Sequence, residues 1–334
     1  MTSWNQVLRS QGPLTAAALA TGFAAPLDNL GLIAFTGEES ATFLHSQLTN
    51  DVEHLGQDEV RLAGYCSPKG RLLASFLMWR DEESVFLQLP REIQAPVQKR
   101  LQMFVLRART KASDASDGAV PLGLGGVDAE AVLRTWFDAM PEAPYRKVDH
   151  PLGTLLRVAD AFGSPRYLWL AKPEALDTVA AELAERLEVG GPEAWQLSEI
   201  HAGVPQIVAG TQEQFVPQMV NLELLGGVNF KKGCYPGQEI VARSQYLGKL
   251  KRRTALATIA DASVKAGAEV FSPADPAQPC GMVVNAAPNG EGGVDALVEM
   301  KLEALEQGDV RFGSATGPAL QFKPLPYALD KLDV

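Results

Sequence analysis

The sequence predicts a mixed chain, α/β or α+β in its layering, of two or three domains, ending in a small all-β unit. Three observations predict it. The chain has 334 residues, more than one ordinary hydrophobic core organises. Up to about Gly203, strand-like apolar runs alternate with stretches whose apolar residues recur at helical spacing. After Arg253, short strand-like runs separated by Gly and Pro take over, the pattern of a small barrel or sandwich.

In chain order, Leu32–Phe35 reads as a buried strand and Thr36–Glu39 as a turn into a helix, with Thr36 or Ser40 as N-cap. Phe43, Leu44 and Leu48 form that helix's apolar face, and Asn50-Asp51 closes it. Arg61–Cys66, Arg71–Trp79 and Ser84–Leu89 read as a meander whose first turn is Ser67-Pro68-Lys69-Gly70. Ile93, Val97, Leu101 and Phe104 are spaced by three and four, which predicts a helix over 91–104. Ser113–Gly118 is loop-like. Val120–Leu124, Leu152–Val158 and Tyr167–Leu170 read as strands, and Pro173–Leu187 and Trp195–Ile200 as helices. The last unit contributes Thr254–Ile259, Glu269–Phe271, Gly281–Asn285, Asp295–Met300 and Leu320–Phe322.

No run of 18 apolar residues exists, so no membrane-spanning helix is expected. The opening Met1-Thr2-Ser3-Trp4-Asn5-Gln6 lacks the basic start and apolar core of a secretory signal. Thirty basic against forty acidic side chains give a net charge of −10, which excludes bulk nucleic-acid binding through the mean field. Cys66, Cys234 and Cys280 are odd in number and far apart, without metal spacing, and the four histidines do not cluster in sequence. Free thiols in a reducing, cytoplasmic compartment are the simplest expectation.

Chemistry concentrates in Lys231–Glu239. Gly226, Gly227, Gly233, Gly237 and Gly248 surround a basic run that puts Lys231, Lys232, Arg243, Lys249, Lys251, Arg252 and Arg253 into 23 positions. Glycine permits close backbone approach, and a local cationic excess suits a phosphate, a carboxylate or an RNA backbone. Cys234 lies two positions after Lys232, and neighbouring cations favour thiolate. Glu239 is a candidate to orient a lysine or accept a proton. Against this, a lone cysteine is more often a small buried hydrophobe, a basic run more often a solvated linker, and Gln238–Val241 fits the start of a helix or of a strand.

Lys232-Gly233-Cys234-Tyr235-Pro236-Gly237-Gln238-Glu239 resembles the K-G-C-[FY]-x-G-Q-E signature of the YgfZ family of folate-binding proteins. Upstream, Phe215–Gln218, Asn221-Leu222 and Leu225–Lys231 fit the same family, as do Ile240–Arg243 and Tyr246-Leu247-Gly248 downstream. Gly203-Val204-Pro205 matches its G-[IV]-P turn, and Phe35–Ser40, Phe43-Leu44 and Leu48–Val52 resemble its first helix. The resemblance spans nearly the whole chain and is dense from Trp195 to Arg253.

It implies an α+β, three-domain cloverleaf like that of the glycine cleavage T-protein, an aminomethyltransferase. Two interleaved α/β units around a folate site would occupy residues 1–247, and a β-barrel 248–334. It also implies a folate-binding accessory protein in iron–sulfur cluster assembly or repair, supporting cluster enzymes such as tRNA methylthiotransferases. Cys234 would be the functional thiol, with Lys232, Gly233, Tyr235, Gly237, Gln238, Glu239 and Arg243 completing the motif. Tetrahydrofolate is the implied cofactor, with iron–sulfur proteins or their assembly machinery as partners. No membrane is involved. One cysteine cannot hold a usual four-thiolate cluster, so no stably bound metal is expected. Trp195 matches a family tryptophan associated with folate, where an indole stacks on a flat ring. The alternative is a core tryptophan. A second family tryptophan falls near Leu30 and is missing. Arg243 and Lys249 are candidates for the folate glutamate tail. T-proteins carry acids where this chain has Ala74 and Ser75, and a Thr-Gly-Glu stretch where it has Phe162–Arg166. Both departures count against a conventional aminomethyltransferase. A tetrahydrofolate-dependent aminomethyl- or demethyl-transferase is the second expectation, with Asp160 or Glu199 as its acid. A tRNA contact through Arg243–Arg253 is the third.

Overall fold

The computed structural model describes residues 3–247 and 250–329. Three sheets carry the chain. The first pairs Val60–Cys66, Leu72–Arg80, Ser84–Pro90, Leu30–Thr36 and Lys111–Asp114, in that spatial order and all antiparallel. The second has the order Glu188–Val189, Phe23–Pro26, Val120–Gly125, Ser164–Ala171, Gly153–Ala161 and Arg146–His150, antiparallel except where its first two members run parallel. Phe23–Pro26 therefore enters the second sheet before any strand of the first is made, and the chain returns at Val120. The two units are interleaved, as the resemblance implies.

Their edges also meet. Glu59 bridges Arg146, the Val60 N–H donates to the Tyr145 carbonyl (2.9 Å), and the Lys147 N–H to the Asp58 carbonyl (2.9 Å). The third sheet runs Arg311–Phe312, Glu269–Ser272, Asp275–Pro288, Val294–Lys301, Arg252–Ile259 and Leu320–Lys323. Its two edge strands join through an Arg311–Ala319 bridge. The Leu320 N–H donates to the Val310 carbonyl (2.8 Å) and the Phe312 N–H to the Pro318 carbonyl (2.9 Å). The sheet thus closes into the expected barrel, and closure leaves no long free edge.

Each sheet has its own apolar core, filled in the barrel by Ala257, Val283, Val298 and Met300. A further core joins all three sheets through Leu72, Leu168, Trp195, Leu222, Val284 and Leu297. The helix Pro192–His201 is buried within it and lies between the second sheet and the barrel.

Several local expectations change. The helix after Thr36 covers only Ser40–His45, its N-cap is Glu39, and neither Thr36 nor Ser40 caps it. Leu48 lies beyond it, buried and bridged to Tyr65. Lys111–Asp114 is an edge strand, so the loop-like stretch begins inside a sheet. Phe23–Pro26, Arg146–His150 and the helix Val127–Leu133 were not legible. The expected boundary after Leu247 adjoins Gly248 and Lys249, which lie outside the described residues.

Candidate functional site

Residues 226–237 form an irregular loop that leads into the helix Gln238–Tyr246. Two glycines set its position. Gly237 has φ +79° and caps that helix, and Gly70 has φ +69° in the turn after the Val60–Cys66 strand. A Cβ on Gly237 would lie 2.4 Å from the Ser67 carbonyl oxygen and 2.7 Å from Gly70 Cα. The thiol loop and the turn are therefore in backbone-to-backbone contact, which a side chain would prevent.

The loop's other end is fixed by Leu48–Val52. Thr49 Oγ1 donates to the Gly227 carbonyl (2.7 Å), Asn50 Nδ2 to the Gly226 carbonyl (2.8 Å), and the Asn229 N–H to the Thr49 carbonyl (2.9 Å). Asn50 Nδ2 also reaches the Leu62 carbonyl (2.7 Å), anchoring the assembly to the first sheet. The buried side chains of Thr49 and Asn50 thus fasten the loop from 178 and 176 residues away in sequence.

Held in this way, Cys234 is exposed, while Cys66 and Cys280 are buried. Burial pushes the Cys66 thiol up to about 12, so it stays protonated. Tyr235 is buried beside Cys66. Lys232 Nζ sits 4.7 Å from the centre of the Tyr235 ring and donates to the Gly233 carbonyl (3.0 Å). Burial of this ammonium pulls it down to about 8, although Asp51, Cys234 and Glu53 are near enough to oppose that. Asp51 is bound by His54 Nδ1 (2.8 Å) and lies 3.1 Å from His45 Nδ1. Partial burial works against the Asp51 carboxylate, but the His54 hydrogen bonds outweigh it and hold the carboxyl below its ordinary value. His45 Nε2 would lie 3.9 Å from a Cβ on Gly233. An amine thus stands beside the exposed thiol, and a His–Asp–His cluster stands beside that amine and the Gly233 backbone. Those histidines do not cluster with the motif in sequence, because strands of both interleaved units lie between them and it along the chain.

The remaining motif residues divide. Gln238 opens the helix. Glu239 and Arg243 are exposed on it, and among the described residues neither forms an ion pair. The basic run is not one patch. Arg253 is fully buried against Glu223, and Arg252 pairs with Glu299. Lys249, offered for a glutamate tail, lies outside the described residues.

The central cleft lies between the first sheet, the second sheet and the segment 199–206. Its lining includes Ser75, Gln88, Tyr145, Arg166, Glu199 and Gln206. Arg166 reaches Glu199 (3.4 Å) and Ser198 Oγ (2.9 Å). The Tyr145 hydroxyl is buried without a hydrogen-bond partner, and Tyr145 itself sits at φ +64°. Burial, reinforced by Glu199, pushes its phenol up, so it remains an O–H donor. Ser75, where the T-protein acid would fall, accepts the Ile207 N–H (3.0 Å). Asp160 instead pairs with Arg157. Trp195 does not line the cleft. It is 3% exposed, and a Cβ on Gly123 would lie 2.3 Å from its ring. In this arrangement it is a core side chain.

A carboxylate, a guanidinium, two amides and an unpartnered phenol fit the polar edge of a pterin in kind. The cleft is narrow in this structure, with a cavity volume of about 30 Å³. A ligand-sized pocket spans roughly 300–1,000 Å³, so a pterin requires the cleft walls to part.

Fold and cleft define a protein built on the aminomethyltransferase T architecture. The aminomethyltransferase T of the glycine cleavage system from Bartonella henselae superposes with a TM-score of 0.75 over 95% of this chain and 91% of that one, at 18% identity. No family model matches. The tRNA-modifying protein YgfZ of Pectobacterium carotovorum is 30% identical over 96% of both chains, and that of Shigella sonnei is 30% identical over 91% of this chain and 93% of its own. The chain belongs to the YgfZ family.

Proposed function

We propose that this chain is a folate-binding accessory protein of iron–sulfur cluster assembly or repair, with Cys234 as its working thiol. The observation that carries the reading is the mounting of Cys234. Two positive-φ glycines and the Thr49 and Asn50 hydrogen bonds hold an exposed thiol beside a half-buried amine. Such rigid support is what a reactive group needs and what a solvated linker lacks. The relatives' name, tRNA-modifying protein YgfZ, suits clients that thiolate tRNA. Tetrahydrofolate would be held by Glu199, Arg166, Tyr145 and the Gln88 and Gln206 amides, and when bound would supply a one-carbon acceptor. A cytoplasmic setting fits three unpaired thiols.

Cys234→Ala tests the thiol. In cells lacking the native protein, the variant is expected to fold normally, with an unchanged melting temperature. The methylthiolated nucleosides of tRNA should nonetheless fall to the level of the empty strain. Full restoration by the alanine variant would sink the proposal.

One observation favours the transferase reading. Glu199 brings a carboxylate into the cleft, although Arg166 neutralises it. Tetrahydrofolate-dependent turnover of a methylamine donor, lost in Glu199→Gln, would establish it. No turnover with any such donor would leave the accessory role.

A further inference from the structure

Residues 93–113 contain five cations and no carboxylate, in a chain of net charge −10. They form the helix Arg91–Met103, the turn after it and the edge strand Lys111–Asp114. Helix and strand enclose a groove lined by Arg91, Lys99 and Lys111 with the amides of Gln94, Gln98 and Gln102. Its one acid, Asp114, is bound by the Ser116 hydroxyl and N–H at the groove's end. Of the cations, Arg109 is committed to Glu38 and Glu39, and Arg100 is half-buried under the helix. Lys99, Arg107 and Lys111 are exposed, and among the described residues none forms an ion pair. Beside them stand three exposed apolar side chains, Met103 (59%), Phe104 (48%) and Leu106 (88%).

We propose that this helix–strand groove is a docking surface for single-stranded RNA. Lys99 and Lys111 in the groove, with Arg107 on the turn beyond the helix, can neutralise phosphates, while Arg91 faces Asp117 (3.9 Å); the exposed Phe104 ring, directly after the helix, offers a stacking platform that any base can use. An acidic protein segment would need the cations but not the ring. The face lies on the outer side of the first sheet, formed by residues other than those of the thiol loop, and the inference stands independently of the thiol reading.

The test is fluorescence anisotropy of a labelled oligouridylate over a salt series, with the full chain. Replacing Lys99, Arg107 and Lys111 together by Gln is expected to lower the log–log salt slope by about 2, at about 0.7 for each lost phosphate contact. Phe104→Ala should weaken binding about tenfold with the slope unchanged. Arg243→Gln with Lys251→Gln should leave both intact. Three results would each overturn the proposal: a slope unchanged in the triple variant, an RNA duplex bound as tightly as oligouridylate, or polyglutamate competing as well as RNA with Phe104 irrelevant. All the substituted side chains are exposed, and unchanged melting temperatures would confirm that the variants fold.

Discussion

Gly237 and Gly233 are two glycines of one motif with different physical roles. A Cβ at Gly237 meets the Ser67 carbonyl oxygen at 2.4 Å in a left-handed backbone, whereas at Gly233 the nearest atom is 3.9 Å away. Gly237→Ala should therefore destabilise the chain by at least about 1–2 kcal/mol from the backbone conformation alone, read as a lower urea midpoint. Gly233→Ala should stay within about 0.5 kcal/mol, so a functional loss there would report on the thiol's access rather than on folding. Lys232 makes a pH-dependent contribution. Its folded value of about 8 lies below the unfolded value near 10.4, so the folded chain holds fewer protons across that window. Stability must then rise with pH from about 8 towards 10, and Lys232→Met should remove part of that rise, roughly 1–2 kcal/mol once solvent screening at this half-exposed position is allowed for. Tyr235, held up by burial, acts in the opposite sense only above its ordinary value near 10. The motif itself was legible because its residues are contiguous. His45, Asp51 and His54 were not, because only the fold brings them to it.

At the scale of elements, the helix Pro192–His201 docks on the barrel through one buried cluster. His201 Nε2 contacts Asp295 Oδ2 at 2.6 Å, Thr258 Oγ1 donates to Asp295 Oδ1 (2.6 Å), and Lys323 Nζ lies 3.4 Å from Oδ2. Burial alone would raise the Asp295 carboxyl, but the His201 and Thr258 hydrogen bonds, with the Lys323 charge, hold it well below the ordinary range. A depressed carboxylate contributes stability that is fully present above its unfolded value near 3.9 and is lost as pH falls below that. Asp295→Asn should cost about 3 kcal/mol at neutral pH and flatten the acid limb of the stability curve, measured by denaturant titration at several pH values. A second tie runs the other way. Gln218 Nε2 donates to the Val241 carbonyl (2.8 Å) on the helix after the thiol loop, and the Gln218 carbonyl accepts from Arg253 of the barrel. The basic run that reads as a linker in sequence is therefore partly an internal tie. Sequence gives the charge of Arg252 and Arg253. It does not show that Glu299 and Glu223 wait for them in other elements.

For the molecule as a whole, the alternation of strands and helices and the change after Arg253 were legible because each follows from local period and punctuation. Interleaving was not legible from those signals. Phe23–Pro26 is too short to announce itself, and its partners Val120–Gly125 and Glu188–Val189 lie about 100 and 165 residues away. The cleft follows from that topology, because it exists only once both sheets and the segment 199–206 have met. Tyr145 shows what the closed form costs. Its backbone is left-handed, and its hydroxyl is buried with no partner. An unmet buried hydroxyl costs about 1–3 kcal/mol. Tyr145→Phe should therefore stabilise the free protein by about 1 kcal/mol, seen as a higher melting temperature. If the opened cleft receives tetrahydrofolate, the same variant should bind it about tenfold more weakly by calorimetry, since the ligand would lose one hydrogen bond made by no other group. Stabilisation with unchanged affinity would place the ligand elsewhere, and weaker binding without stabilisation would mean that the hydroxyl is already bonded in the free protein.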